Sequence, residues 1–234
     1  GRCAAGVSDN LRDTLNITRP NNGGSATAAY NLFEKDQNLQ KFYKVPPQEI
    51  LVTNAQLVQL QKQGLIPPGT IVMTQYRNEN GQNLSHNPWG HIYISAGVPF
   101  TRNGRLVLGS SDGMQMDNAF NGTVRSTGQA VFVKLMFPKE YGDLNISEYV
   151  RTSNFSNNSS NNSSTFNYRS IIGSNPNGAS SFFQMYFDAQ KKSTTLKESN
   201  DDRTDKSLPE VANISDVRKT VSGKYSLLGL DKKS

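Results

Sequence analysis

The chain has 234 residues and a formal net charge of +6, and hydrophobic residues make up 35% of it. That share lies below the roughly 45–50% of typical globular domains, and the deficit falls in the C-terminal third, so we expect a hydrophobic core in only part of the chain. The single cysteine, Cys3, excludes an internal disulfide, and no run approaches the roughly 18 apolar residues of a membrane span.

Three helices are predicted in the first 64 residues. The first helix is predicted from a stripe of apolar residues spaced four apart: Cys3, Val7, Leu11 and Leu15. The thiol of Cys3 lies in the first turn of this helix. A second helix is predicted over 25–33, where Ser25 is a capping-type residue. A third is predicted over 54–63, with Asn54 as its cap and Gly64 as its end.

The period of the pattern then changes from helical to alternating. Four segments read as strands: 70–76, 91–95, 105–111 and 130–137. Short connections rich in turn residues, such as "ENGQN" and "RNG", predict an antiparallel meander. Because helices come first and strands follow, the predicted class is α+β.

After about residue 139 the sequence changes character. Residues 152–167, "TSNFSNNSSNNSSTFN", have almost no apolar content and cannot offset their ordering entropy. Beyond them "SSFFQMYFDAQ" is amphipathic enough for a short helix or strand, and the following residues are mostly charged and polar. We expect a folded domain over 1–139, a low-complexity linker over 140–167 and a charged, flexible extension over 168–234, so that a chain ending near Thr152 would still fold.

A cysteine at the start of a helix can act as a nucleophile, because the unpaired N–H groups and the positive end of the helix dipole favour the thiolate. Of the two histidines, His91 opens a predicted strand directly after Trp89 and Gly90, whereas His86 lies in the preceding polar turn and is expected to be solvated. The alternative is that Cys3 is a packed core residue, as free cysteines on apolar helix stripes often are.

Three segments, taken in order over roughly residues 1–137, resemble the NlpC/P60 and CHAP group of papain-like peptidoglycan hydrolases. "GRCAAGV" is similar to the group's nucleophile segment, "LIPPGTIVM" to the proline-glycine turn before its first core strand, and "WGHIYIS" to its histidine strand. The resemblance implies a papain-like fold, with N-terminal helices packed on an antiparallel sheet of four or more strands. It also implies an amidase or endopeptidase that cuts amide bonds in cell-wall peptides.

The same resemblance implies roles for particular residues: Cys3 as nucleophile, His91 as base, and a polar residue on the next strand that orients the imidazole. Asp112 is our prediction for that residue, because a carboxylate can accept from the imidazole N–H and stabilise the imidazolium. Ser111 is the alternative, and Asp112 itself could simply be a turn residue before a glycine.

Further residues are assigned to substrate and oxyanion binding. The backbone N–H of Cys3, assisted by Arg2, is the expected oxyanion donor. Trp89 is expected to line the substrate groove, although a core position is the alternative, and Ser111 is expected to contact substrate. No metal or cofactor is expected, because one cysteine and two histidines five residues apart do not have zinc-ligand spacing.

The resemblance implies a wall peptide as substrate, with an immunity protein or delivery machinery as a further partner of an effector, and a location in the bacterial periplasm or cell wall after secretion or delivery. No nucleic-acid partner is expected, because aromatic residues are not interleaved with Lys and Arg on one strand face. Two alternatives remain: a papain-like protease or deamidase toxin that acts on a protein, and a non-catalytic basic module that binds wall polymer.

Overall fold

The structure is a computed structural model that describes residues 2–76, 82, 89–111, 116–118, 130–141, 144–152 and 177–198. These residues form five α-helices and six strands. The helices are α1 (Arg2–Leu15), α2 (Ala26–Lys35), α3 (Asn54–Lys62), α4 (Ile146–Thr152) and α5 (Ala179–Glu198). The strands are β1 (Gln48–Thr53), β2 (Ile71–Tyr76), β3 (His91–Arg102), β4 (Arg105–Ser110), β5 (Met116–Asn118) and β6 (Ala130–Met136). The predicted α+β class is confirmed.

All six strands form one antiparallel sheet in the order β1-β6-β2-β3-β4-β5. The predicted meander is correct for β2, β3 and β4, and Asn103 and Gly104 both have positive φ in the two-residue turn between β3 and β4. It is wrong for β6, which returns to pair with β2 and β1 instead of β4. Every residue of β2 is buried, as is typical of an inner strand with both of its faces covered.

The three predicted N-terminal helices are present. The apolar stripe of α1 is buried at Val7, Leu11 and Leu15, and α1 packs against β3. The predicted cap of α3 is one residue too late: Thr53 Oγ1 accepts from the Gln56 backbone N–H, and Gln56 Oε1 accepts from that of Thr53. Extended backbone at Thr53 permits this capping box.

A hydrophobic cluster lies between α3 and the sheet. Its members come from α3, the turn after α3, and strands β1, β2, β3, β4 and β6: Ile50, Val52, Leu57, Val58, Leu60, Leu65, Ile66, Val72, Tyr76, Tyr93, Leu108, Val131, Val133 and Leu135, with Phe137 and Ile146 beyond β6. Burying each large apolar side chain contributes about 1.5–3 kcal/mol, so this cluster fixes β3 and β4 relative to α3.

Packed structure continues beyond residue 139. Helix α4 falls within the range predicted as linker, and its first turn is held on β1 because Gln48 Oε1 accepts from the Ile146 backbone N–H at 2.7 Å. Residues 153–176, which include nearly all of the Asn/Ser-rich tract, lie outside the described residues.

The start of α5 packs on the same unit. Glu140 Oε1 accepts from the Ser180 backbone N–H at 2.7 Å. Phe183 is buried against Gly69, where the lack of a side chain leaves room for the aromatic ring. One compact unit reaches Gln184 and a second begins at the next residue, within the helix. No helix in the described ranges is long and apolar enough to cross a membrane.

A chain ending at Thr152 is therefore expected to be less stable than one ending at Glu198. It loses the burial of Phe183, worth about 1.5–3 kcal/mol, and the capping contact on Glu140. Thermal melts of the two shortened chains and the full chain measure the difference. Equal melting temperatures for all three would contradict this role for the start of α5.

Candidate active site

The packing of α1 on β3 brings Cys3 and His91 together. Cys3 is the second residue of α1 and His91 is the first residue of β3. The side chains of these two residues are joined by a hydrogen bond, although they lie far apart in the sequence. Cys3 is half-buried, whereas Val7 and Leu11 on the same stripe are fully buried.

The surroundings of Cys3 favour its thiolate. Burial by itself raises the pKa of the thiol, because a thiolate is less stable away from water. The hydrogen bond with His91 and the positive charge of the imidazolium lower it, and backbone hydrogen bonds from Ile92 and Ala4 lower it further. These lowering effects prevail, so the pKa of Cys3 lies below that of an ordinary thiol.

The ring of His91 lies over that of Tyr93, with centroids 6.0 Å apart and planes inclined by 25°. Successive side chains of a strand alternate between its faces, so residues 91 and 93 share one face. Thr74 on β2 is the register partner of His91. Tyr93 was not among the predicted site residues, although the alternation in "HIYIS" could have indicated it.

A glycine directly precedes His91. Gly90 has φ +66°, and a Cβ added there would lie 2.7 Å from the Thr74 backbone oxygen. Only glycine fits this backbone conformation and this close approach to β2. On the other side of Gly90, the Trp89 side chain is 68% exposed, so the alternative of a core position does not hold.

Two helical turns beyond Cys3, Asn10 joins α1 to the end of β4. Its Nδ2 donates to Ser110 Oγ at 2.9 Å and to the Ser111 backbone oxygen at 3.5 Å. Asn10, Ser110 and Ser111 are all buried. This contact fixes the position of α1 along the sheet and leaves Ser111 with little surface to offer a substrate.

The remaining predicted residues are placed less centrally. Arg2 is exposed at the first position of α1. Asp112 and His86 lie outside the described residues, so the predicted orienting carboxylate stays a prediction. Within the described ranges, no three His, Cys, Asp or Glu side chains come together as a metal site would require.

Cys3 is expected to react with iodoacetamide at pH 6, well below the roughly 8.5 of a free thiol, because its pKa is lowered. His91→Ala removes the hydrogen bond and the charge, so the pKa of Cys3 rises and labelling at pH 6 slows. As Cys3 is the only thiol, labelling can be followed by intact mass. His86→Ala is the matched control and should label like the wild type; equal rates for wild type and His91→Ala would count against the pair.

Gly90→Ala is expected to destabilise the protein and to slow labelling of Cys3, because it strains φ and drives a methyl group into the Thr74 backbone oxygen. Gly104→Ala is the control: its φ is +69°, and nothing lies within 4 Å of an added Cβ. Each variant loses about 1–2 kcal/mol to the left-handed conformation, and only Gly90→Ala should lose more. Urea unfolding measures this, and equal losses would contradict the close approach at Gly90.

Neither a protein-family model, nor a curated protein, nor a solved structure matches this chain.

Proposed function

We propose that this protein is a cysteine hydrolase that cleaves amide bonds in the peptides of bacterial peptidoglycan. The observation that carries the proposal is the hydrogen-bonded pair of Cys3 and His91, in which the pKa of the thiol is lowered. A nucleophile within reach of a base, at the N-terminus of a helix, is the arrangement that acyl transfer to a thiol requires.

In the proposed reaction the Cys3 thiolate attacks the amide carbonyl carbon, and a C–S bond forms. The C–N bond then breaks, and the leaving amine takes its proton from the His91 imidazolium. A water molecule next gives a proton to His91 and attacks the thioester, which releases the acid and restores the thiolate. The balance is one amide and one water consumed, with one amine and one carboxylic acid formed.

Backbone groups at the start of α1 would stabilise the oxyanion of the tetrahedral intermediate. The N–H of Cys3 is our candidate donor, and the Ala4 N–H already bonds to the sulfur. Arg2 directly precedes Cys3, and Trp89 lies two residues before His91. Both are exposed and are our candidates for substrate contact. A papain-like topology is part of this proposal.

The choice of wall peptide rests on the ordered resemblance of "GRCAAGV", "LIPPGTIVM" and "WGHIYIS" to peptidoglycan hydrolases, and on a net charge of +6 that favours an anionic polymer. We propose delivery to the periplasm or cell wall, with an immunity protein or delivery machinery as a further partner. A protease or deamidase toxin would use the same pair of residues on another acceptor. Binding of a polymer alone does not require a cysteine whose pKa is lowered, so the non-catalytic module is the less favoured alternative.

The decisive experiment is incubation of the protein with purified peptidoglycan sacculi, followed by mass spectrometry of the released fragments. We expect new amine and carboxyl ends from the wild type and none from Cys3→Ala or His91→Ala, a loss of at least about a thousandfold. His86→Ala should behave like the wild type. Intact sacculi after treatment with protein whose Cys3 still labels at pH 6 would reject the wall substrate and leave the protein-directed alternatives.

A further inference from the structure

We propose that Tyr93 and Gln61 are positioning residues that hold the His91 ring against Cys3. As a contribution to catalysis, this inference rests on the hydrolase function proposed above. It is carried by a continuous set of contacts from the imidazole through β3 to α3 and β4.

The first contact is between the two rings. Tyr93 is buried, with only 2% of its surface exposed, and its ring stacks with the imidazole at 6.0 Å. His91 is half-buried at the first position of β3, directly after Gly90. A fixed aromatic face beside the ring restricts its rotation and favours the imidazolium that pairs with the thiolate.

The second and third contacts fix Tyr93 itself. Its hydroxyl donates to Gln61 Oε1 at 3.3 Å, and Gln61 Nε2 donates to the Leu108 backbone oxygen. Gln61 is fully buried on α3, and Leu108 lies on β4. The orientation of the Tyr93 ring is therefore tied to two further elements of the fold.

The polar character of this contact favours a positioning role over simple core packing. The surrounding cluster is apolar, and Leu57 and Leu60 occupy the same buried side of α3. Burying an amide and a hydroxyl there carries a desolvation cost that a Leu and a Phe would avoid. The hydrogen bond between Tyr93 and Gln61 fixes the orientation of the Tyr93 ring, because hydrogen bonds in a low-dielectric core are more directional than apolar contacts.

The test measures the rate of Cys3 alkylation by iodoacetamide from pH 5 to pH 9.5 in the full chain. Tyr93→Leu removes the aromatic face and is expected to slow alkylation at pH 6 by about tenfold, with little change at pH 9.5, where the thiolate forms without assistance. Tyr93→Phe keeps the aromatic face but loses the hydrogen bond that orients it, so alkylation at pH 6 should still be slower than in the wild type, by about two- to threefold. Gln61→Met keeps the volume of Gln61 and loses the same hydrogen bond, so it should be slowed by a similar factor.

Tyr43→Phe is the matched structural control. The Tyr43 hydroxyl is also buried and donates to a backbone oxygen, that of Gly69, at 3.0 Å. This variant loses one buried hydrogen bond, as Tyr93→Phe does, and its alkylation profile is expected to coincide with that of the wild type.

On a soluble wall peptide, Tyr93→Leu should lower kcat and leave KM unchanged.

A folded Tyr93→Leu whose profile coincides with that of the wild type overturns the proposal, as does a slowing that is equal at every pH. If Tyr93→Leu does not fold, the same criteria apply to Gln61→Met. Alkylation requires no substrate, so the readout is independent of the proposed function. Failure to cleave sacculi with a Tyr93-dependent profile rejects only the wall substrate, and cleavage with an unchanged profile rejects only the positioning role.

Discussion

The contact between the first turn of α1 and the first residue of β3 is the constraint on which the candidate site depends. The apolar stripe through Val7 and Leu11 supplies the stability of this packing, and Asn10 sets its register by bonding to the end of β4. Cys3 meets His91 only because both conditions hold. A shift of α1 by one residue along the sheet would move the thiol by about 1.5 Å and break the hydrogen bond.

The same contact determines the electrostatics of the thiol. Burial alone would keep Cys3 protonated, as in a core cysteine, whereas the imidazole and two backbone N–H groups reverse that effect. The result is a cysteine that lies on an apolar stripe and yet has a lowered pKa. His91 makes the largest lowering contribution, and the backbone N–H of Ala4 in the first turn of α1 adds to it.

Polar groups buried in this region are arranged to bond to one another. Gln61, Tyr93 and the Leu108 backbone oxygen link α3 to the two strands beside the site, and Ser95 Oγ donates to the backbone oxygen of Ile66. Each bond is satisfied within the core, so these groups cost less than isolated polar atoms would. Together they join β3 and β4 to α3 and to the turn that follows it.

The sequence by itself determined the α+β class, the three N-terminal helices and four of the strands, because periodicity and capping act locally. It offered Cys3 and His91 as a candidate pair through the resemblance of their segments to a known family. It missed β1, which follows two prolines, and β5, which has only three residues. It also placed β6 beside the wrong strand, because strand order is set by packing between distant segments of the chain. Only the tertiary structure decided that Cys3 contacts His91 and that Trp89 is exposed. It also decided that Tyr93 stacks with the imidazole and bonds to Gln61. Those relations join residues from different elements, and no local pattern contains them.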